Sequence, residues 1–315
     1  MQRNIYLCGV PIIKVKKTEN YEKRYFFGIQ YKVRKYMRRY DDFVQAFSEN
    51  TYGINNCDIE VILNNLGEAV VYARTHQYWH KPNALVFGTR LQHQEIFKMF
   101  APEIPVFYCG EAPLSKPKKD DKNNNFRAVL FDDKLIEINN SGKPFMQSWQ
   151  EYLGVDLSKQ TYVKAKISSE AEKSALNKAK ALGINLENFV FLMPFARSQD
   201  LLPKSFWQDI EDGLKNKGYD ALYNTRMFNI EEAYVLVSLS KGIIALRSGF
   251  NDVLSEIPVP QHIVYTHNNW HGDLQPMYAL DTFPWAAKDY IKEYNAQKQD
   301  IEMIKSAILE SIGYK

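Results

Sequence analysis

The sequence predicts an α/β protein with two parallel-sheet halves in series, facing each other across a cleft, behind a basic β-rich extension. Three observations predict it. Short apolar runs alternate with longer amphipathic segments at the spacing of strand–helix–strand units. That alternation pauses near residues 155–165 and then starts again. Residues 1–40 have a different texture, with eleven Lys or Arg against two Glu, Glu19 and Glu22. The expected divisions are 1–50 for the extension, 51–158 and 159–285 for the two α/β halves, and 286–315 for a closing helix.

The extension contains a degenerate repeat, Ile5–Lys16 and Arg24–Lys35. In each copy aromatic or apolar residues precede a Gly, and Lys or Arg then alternates with β-branched residues. The pattern predicts two short strands or one hairpin with a cationic edge. Such an edge suits an anionic membrane surface, where each basic residue contributes up to ~1 kcal/mol. It equally suits a solvated edge strand protected by charge. No helix-turn-helix, finger or RNP pattern accompanies the basic residues, which argues against nucleic acid.

From Cys57 the strand–helix alternation begins. Asp58–Leu63 reads as a strand, Asn64–Gly67 as a turn and Glu68–Arg74 as a helix start. Leu85–Gly88 and Ile104–Tyr108 are further buried strands around a helix at Leu91–Phe100. Residues 115–125 combine Pro117, several Lys and three consecutive Asn, a surface loop. Val129–Phe131 and Leu135–Ile138 flank a turn at Asp132-Asp133-Lys134, and Phe145–Leu153 is helical. The second set runs through a helix at Ser169–Leu182, stopped by Gly183, and a strand at Phe189–Met193, stopped by Pro194. A helix from Leu202 to Lys217, a strand at Tyr219–Asn224 and a helix at Ile230–Leu239 follow. The strand His262–Thr266 closes the set, and Trp285–Ile312 reads as one long helix.

The most informative stretch is Ile243–Ser255. A four-residue apolar run, Ile243–Leu246, reads as a buried strand. It breaks at Arg247-Ser248-Gly249 and resumes with Phe250, Val253, Leu254 and Ile257 at helical spacing. Ser248 or Gly249 is positioned to cap that helix. A guanidinium beside free helix N–H groups makes an anion-ready corner. The plain alternative is a β–α turn with a solvated Arg.

Bulk composition bounds the function. With 45% hydrophobic and 24% charged residues the chain is an ordinary globular one, and its length favours two domains. The three cysteines (Cys8, Cys57, Cys109) have no metal-type spacing and leave an odd one over, so reduced thiols in a cytoplasm are expected. No apolar run reaches the ~18 residues of a spanning helix, and the start does not read as a signal peptide. The expected location is cytoplasmic, or peripheral on the inner face of the cytoplasmic membrane. There is no dinucleotide fingerprint, no Walker loop and no Asp-x-Asp. His76 and His80 are four apart, as are His267 and His271, and packing or surface polarity is the preferred reading for both pairs.

Several segments together resemble the heptosyltransferase family of lipopolysaccharide synthesis. Leu66-Gly67-Glu68-Ala69-Val70 resembles its Gly-Asp turn, and Met193-Pro194-Phe195-Ala196-Arg197-Ser198 with Pro203–Trp207 resembles its donor-domain opening. Arg247-Ser248-Gly249, with the later Pro258-Val259-Pro260, resembles its Asp-Ser-Gly turn. The likeness covers about residues 57–110 and 187–266. Two positions depart from the family pattern: Arg247 stands where it has an acidic residue, and Glu68 where it has Asp.

The resemblance implies the GT-B architecture, two Rossmann-like α/β/α domains. It further implies transfer of a sugar from a nucleotide-sugar donor to a surface polysaccharide or lipid-linked saccharide; the missing Asp-x-Asp leads one to expect no metal, and no cofactor is expected. Inverting transfer needs a base for the acceptor hydroxyl and positive charge for the departing diphosphate. By resemblance Glu68 is the candidate base, with Asn65 and Gly67 on the acceptor side. Arg197, Ser198, Lys204, Arg247, Ser248, Gly249, Asn251 and Asp252 are the donor-side candidates. Glu68 could instead complement the helix dipole, and Asn251 and Asp252 could simply finish a helix cap. Two other functions fit the architecture, a polysaccharide pyruvyltransferase and a non-catalytic saccharide-binding protein.

Overall fold

The computed structural model describes residues 58–62, 66–82, 84–108, 138, 143–196, 199–225, 227–266 and 279–312, together with the backbone of 2–7, 10–17, 21–26, 29–35 and 126–128. The basic repeat forms four strands. β1 (Gln2–Leu7), β2 (Val10–Lys17), β3 (Tyr21–Phe26) and β4 (Ile29–Lys35) make an antiparallel sheet in chain order. The sequence leads one to expect two strands or one hairpin. The structure has a four-stranded meander: Leu7 pairs with Val10 and Phe26 with Ile29, each across two residues, the connection length that favours tight hairpins, and β2 pairs with β3 between them.

The first parallel unit consists of β5 (Asp58–Ile62), α1 (Leu66–Trp79), β6 (Ala84–Gly88), α2 (Leu91–Phe100), β7 (Val106–Tyr108) and β8 (Phe126–Ala128). Its strands lie in the order β7-β6-β5-β8, all parallel. The chain builds outward from β5 on one side and returns on the other, so the strand order reverses between β5 and β8. The expected turn at Asp132-Asp133-Lys134 and the loop at 115–125 lie outside the described residues.

The connection to the second unit holds α3 (Phe145–Leu153), closed by Gly154 in the left-handed region at φ 69°. A single 3-10 turn, Leu157–Lys159, and α4 (Ser169–Ala181) follow. The second sheet is then built from β9 (Phe189–Met193), α5 (Lys204–Asn216), β10 (Asp220–Tyr223), α6 (Ile230–Leu239), β11 (Ile243–Leu246), α7 (Gly249–Leu254), β12 (Gln261–Tyr265), β13 (Ile291–Asn295) and α8 (Ile301–Ser311). Its order is β10-β9-β11-β12-β13, again all parallel, and the order reverses between β9 and β11.

The single long helix expected over 286–315 is corrected. Ile291–Asn295 is a fifth strand, paired along its whole length with β12, and only Ile301–Ser311 is α-helical, capped by Asp300 through the Glu302 N–H. Tyr290 to Tyr294 is no worse as strand than as helix, and an open sheet edge with unpaired N–H and C=O groups decides the matter.

Alternation along the second sheet separates two apolar layers. Val190, Leu192, Ile244, Leu246 and Val264 pack with Phe206, Ile210 and Leu214 of α5 and with Ile304 and Ile308 of α8. Phe189, Phe191, Met193, Ile243, Ala245 and Ile263 face the other way, into a layer shared with the first unit. That shared layer takes in Val70, Val71 and Tyr72 of α1 and Ile96 and Phe97 of α2. Helix α1 is buried continuously from Ala69 to Thr75, as expected of a helix enclosed on all sides.

One cation lies within this shared layer. Arg74 donates through Nη1 to the Val163 carbonyl at 3.2 Å and pairs through Nη2 with Glu256 Oε2 at 2.8 Å. Its guanidinium also sits over the rings of Phe100 and Trp285, 4.1 and 5.0 Å from their centres. Glu256 Oε1 in turn accepts from the Ala165 N–H and the Tyr234 hydroxyl. Residues from both parallel units and from the connection between them therefore meet on one buried ion pair. Arg74→Ala, which strands the Glu256 carboxylate, is expected to cost about 3–5 kcal/mol in urea unfolding, whereas Arg74→Met combined with Glu256→Gln costs much less. A single-mutant loss below about 1 kcal/mol would show that water reaches the pair.

Candidate functional site

Open parallel sheets bind ligands outside the carboxyl ends of their strands, where the strand order reverses. In this chain those places are the exits of β5 and β8 in the first sheet and of β9 and β11 in the second. The fold brings two of them together. Gly67, on the first turn of α1 after β5, lies against Gly249, the first residue of α7 after β11. A Cβ added to Gly249 would come to 2.4 Å from the Gly67 nitrogen and 3.2 Å from its Cα. A Cβ added to Gly67 would come to 2.2 Å from Asp252 Oδ2. Gly249 needs glycine because backbone meets backbone there, and Gly67 because the Asp252 carboxylate fills the space beside it; neither has a positive φ. The two units touch here directly.

The β11–α7 turn closes on itself through its own side chains. All four residues of β11 are buried. Ser248 caps α7, and Asn251 Oδ1 accepts from the Ser248 N–H at 2.7 Å and from its hydroxyl at 3.0 Å. Asn251 thus finishes the cap, one of the two roles left open by the sequence. Its Nδ2 is buried with no hydrogen-bond partner.

Arg247 is buried too. Its Nη2 donates to Asp252 Oδ1 at 2.6 Å, and its Nη1 donates to the Ser248 carbonyl. The expectation of a guanidinium standing open to an anion is revised: its charge is met internally by Asp252. Burial lowers the proton affinity of Arg247, but the Asp252 carboxylate more than restores it, so the net direction is upward. Burial pushes the Asp252 carboxyl up to about 6 against the pull of Arg247. The two directions divide one ion pair unevenly. The pair is charged at neutral pH because the guanidinium stays protonated at any accessible pH, and the burial penalty falls on the carboxylate.

Of the other sequence candidates, Glu68 is half-buried on the first turn of α1, next to the Gly67 contact. Lys204 is exposed at the first position of α5, behind Pro203, and that helix covers the face of the second sheet opposite α7. Asn65, Arg197 and Ser198 lie outside the described residues. The histidine pair 76/80 is divided between two acids: His76 Nε2 lies 2.8 Å from Glu103 and His80 Nδ1 lies 2.6 Å from the buried Glu60. The pair 267/271 lies outside the described residues.

Sequence reasoning missed two features beside these turns. Arg74 and Glu256 carry no local signal, since only the packing of distant elements joins them. Phe195 stands 70% exposed two residues beyond the end of β9. Its signal was available in the sequence: an aromatic directly after the Pro that stops a buried strand.

No family model matches the sequence, and no curated protein does. Among solved structures the chain is similar to a glycosyl transferase family 9 protein from Veillonella parvula DSM 2008. That likeness has 14% identity and a TM-score of 0.48, and covers 82% of this chain and 91% of that one. It is also similar to E. coli ADP-heptose lps heptosyltransferase II, with 10% identity, 80% and 96% coverage and a TM-score of 0.46. A third is the dodecameric iron-containing glycosyltransferase TibC from enterotoxigenic E. coli H10407, with 12% identity, 78% and 64% coverage and a TM-score of 0.41. Likeness of this degree assigns no activity to the chain.

Two outcomes follow from the geometry of the turns. Gly249→Ala must push backbone away from Gly67 and is expected to destabilise by about 1–3 kcal/mol, the usual cost of overpacking; an unchanged denaturant midpoint would mean that the two turns are not in contact in solution. Arg247→Ala leaves the Asp252 carboxylate buried alone and is expected to lower stability by about 3–5 kcal/mol. A variant that melts like the wild type would return Arg247 to the role of an open anion ligand.

Proposed function

We propose that the protein is a metal-independent glycosyltransferase of the GT-B type, moving a sugar from a nucleotide-sugar donor to a bacterial surface polysaccharide or lipid-linked saccharide. One observation carries this reading: the strand-reversal turns of two parallel sheets, Gly67-Glu68 and Ser248-Gly249, meet in the fold. A two-substrate transfer needs donor and acceptor sites side by side, and this contact sets two ligand-binding edges next to each other.

In the proposed reaction the Glu68 carboxylate takes the proton of the acceptor hydroxyl. The hydroxyl oxygen then attacks the anomeric carbon, and the bond from that carbon to the diphosphate oxygen breaks. The nucleoside diphosphate leaves with the bonding electron pair. Ser248 and Gly249 line the donor side, with Arg197, Ser198 and Lys204 as the proposed cationic and polar contacts of the diphosphate. Arg247 acts from beneath, holding Asp252 and the Ser248 carbonyl in place. The absence of any Asp-x-Asp from the sequence supports transfer without a divalent ion. The basic residues of 1–40 are proposed to rest on anionic lipid; among the described residues no helix is long and apolar enough to cross a membrane.

The test is binding and transfer in parallel, both in EDTA. A nucleoside diphosphate is expected to raise the melting temperature, since a ligand at 100 times its Kd adds ~2.7 kcal/mol. Glu68→Gln is expected to keep that affinity while transfer falls roughly 10²–10⁴-fold, the range of general-base catalysis. Failure of every nucleoside diphosphate to bind the wild type, or transfer restored only by Mg²⁺ or Mn²⁺, would sink the reading in its present form.

A further inference from the structure

The second sheet reverses its strand order between β9 and β11, and the register fixes what lies at the two exits. Ala245 of β11 pairs with Met193 of β9, so Phe195 and Arg247, each two residues further on, leave the sheet at the same level on neighbouring strands. Arg247 is buried and paired at that exit, whereas Phe195 is 70% exposed. Its ring is therefore open to water at a ligand-binding edge.

Phe195 does not stand on a loose segment. The Gln199 side-chain Oε1, four residues on, accepts from the Thr266 N–H at 2.7 Å, and the Thr266 hydroxyl donates to the Asp200 backbone carbonyl at 2.5 Å. These bonds tie Gln199 and Asp200 to the end of β12. A second observation at the same edge points to a ligand. Asn251 Nδ2, on the first turn after β11, is a fully buried donor with no hydrogen-bond partner, an arrangement that costs free energy unless an acceptor arrives.

We propose that Phe195 is the platform on which the base of the nucleotide stacks, so that this side chain carries the affinity for the nucleoside part of the donor. The inference rests on the reading of the protein as a nucleotide-sugar enzyme and deepens it. Every base has a π-face, so a phenyl platform gives affinity with little discrimination among bases; base preference then comes from neighbouring polar groups.

The experiment measures Kd by calorimetry for ADP, UDP, GDP and CDP, and for inorganic pyrophosphate, with wild type, Phe195→Ala, Phe195→Leu and Phe195→Trp. Stacking predicts that Ala and Leu weaken the best nucleoside diphosphate by roughly 5- to 150-fold, that Trp retains its affinity, and that pyrophosphate is unaffected. Because Phe195 is exposed, all variants are expected to melt with the wild type. Unchanged nucleoside diphosphate binding in the Ala variant overturns the platform while leaving the enzyme class standing. Equal weakening of pyrophosphate also overturns it, since Phe195 would then act through loop shape. If the wild type binds none of the four nucleotides, the parent reading fails and takes the platform with it.

Discussion

The arrangement of the whole molecule depends on the enclosure of helix α1. Seven consecutive residues of it, Ala69 to Thr75, are buried, which leaves no face for water. A helix in that position has to satisfy every polar group it carries. Thr75 does so locally, donating to the Val71 carbonyl and accepting from the Trp149 indole. Arg74 does so at long range, through Val163 and Glu256. The bonds to Trp149, Val163 and Glu256 draw in segments from elsewhere in the chain, and together they hold the two parallel units against the connection between them. The close approach of Gly67 to Gly249 at the start of the same helix is a result of that fixed position.

Much of the layer structure was legible. Short apolar runs bounded by Gly or Pro, such as Phe189–Met193 before Pro194 and Ile243–Leu246 before Arg247, became the central buried strands. Where the reading failed, pairing had outweighed local preference. Residues 291–295 contain good helix formers, yet they became a strand because β12 offered an unpaired edge. The basic repeat yielded four strands instead of two because its alternation continued on both sides of each Gly.

The site was legible in outline and less so in its electrostatics. The strand, break and helix around Ser248 could be read from spacing alone, as could the Ser248 cap. The pairing of Arg247 with Asp252 could not, because a charged residue at a strand end reads identically whether it faces solvent or folds back five residues along the chain. Burial decides between those states, and the partner carboxylate at Asp252 lies against Gly67 of α1, far away in sequence. Phe195 is a different case: the sequence reading gave it no role of its own within the Met193–Ser198 segment, and the fold leaves it in water.

The contact between Gly67 and Gly249 has a genetic consequence. Most close contacts in a protein can be repaired from either side, because a larger residue at one position is relieved by a smaller one at its partner. Here both partners already lack a side chain, so neither can be trimmed to make room for the other. Asp252, which fills the remaining space beside Gly67, is itself held by Arg247. A selection for second-site suppressors of a Gly67 or Gly249 substitution should therefore return nothing at the partner glycine. Suppressors of a Gly249 substitution would have to arise in the layers beneath, among residues that let α1 or α7 slide as a whole, whereas a Gly67 substitution has the Asp252 side chain as a further place to be relieved.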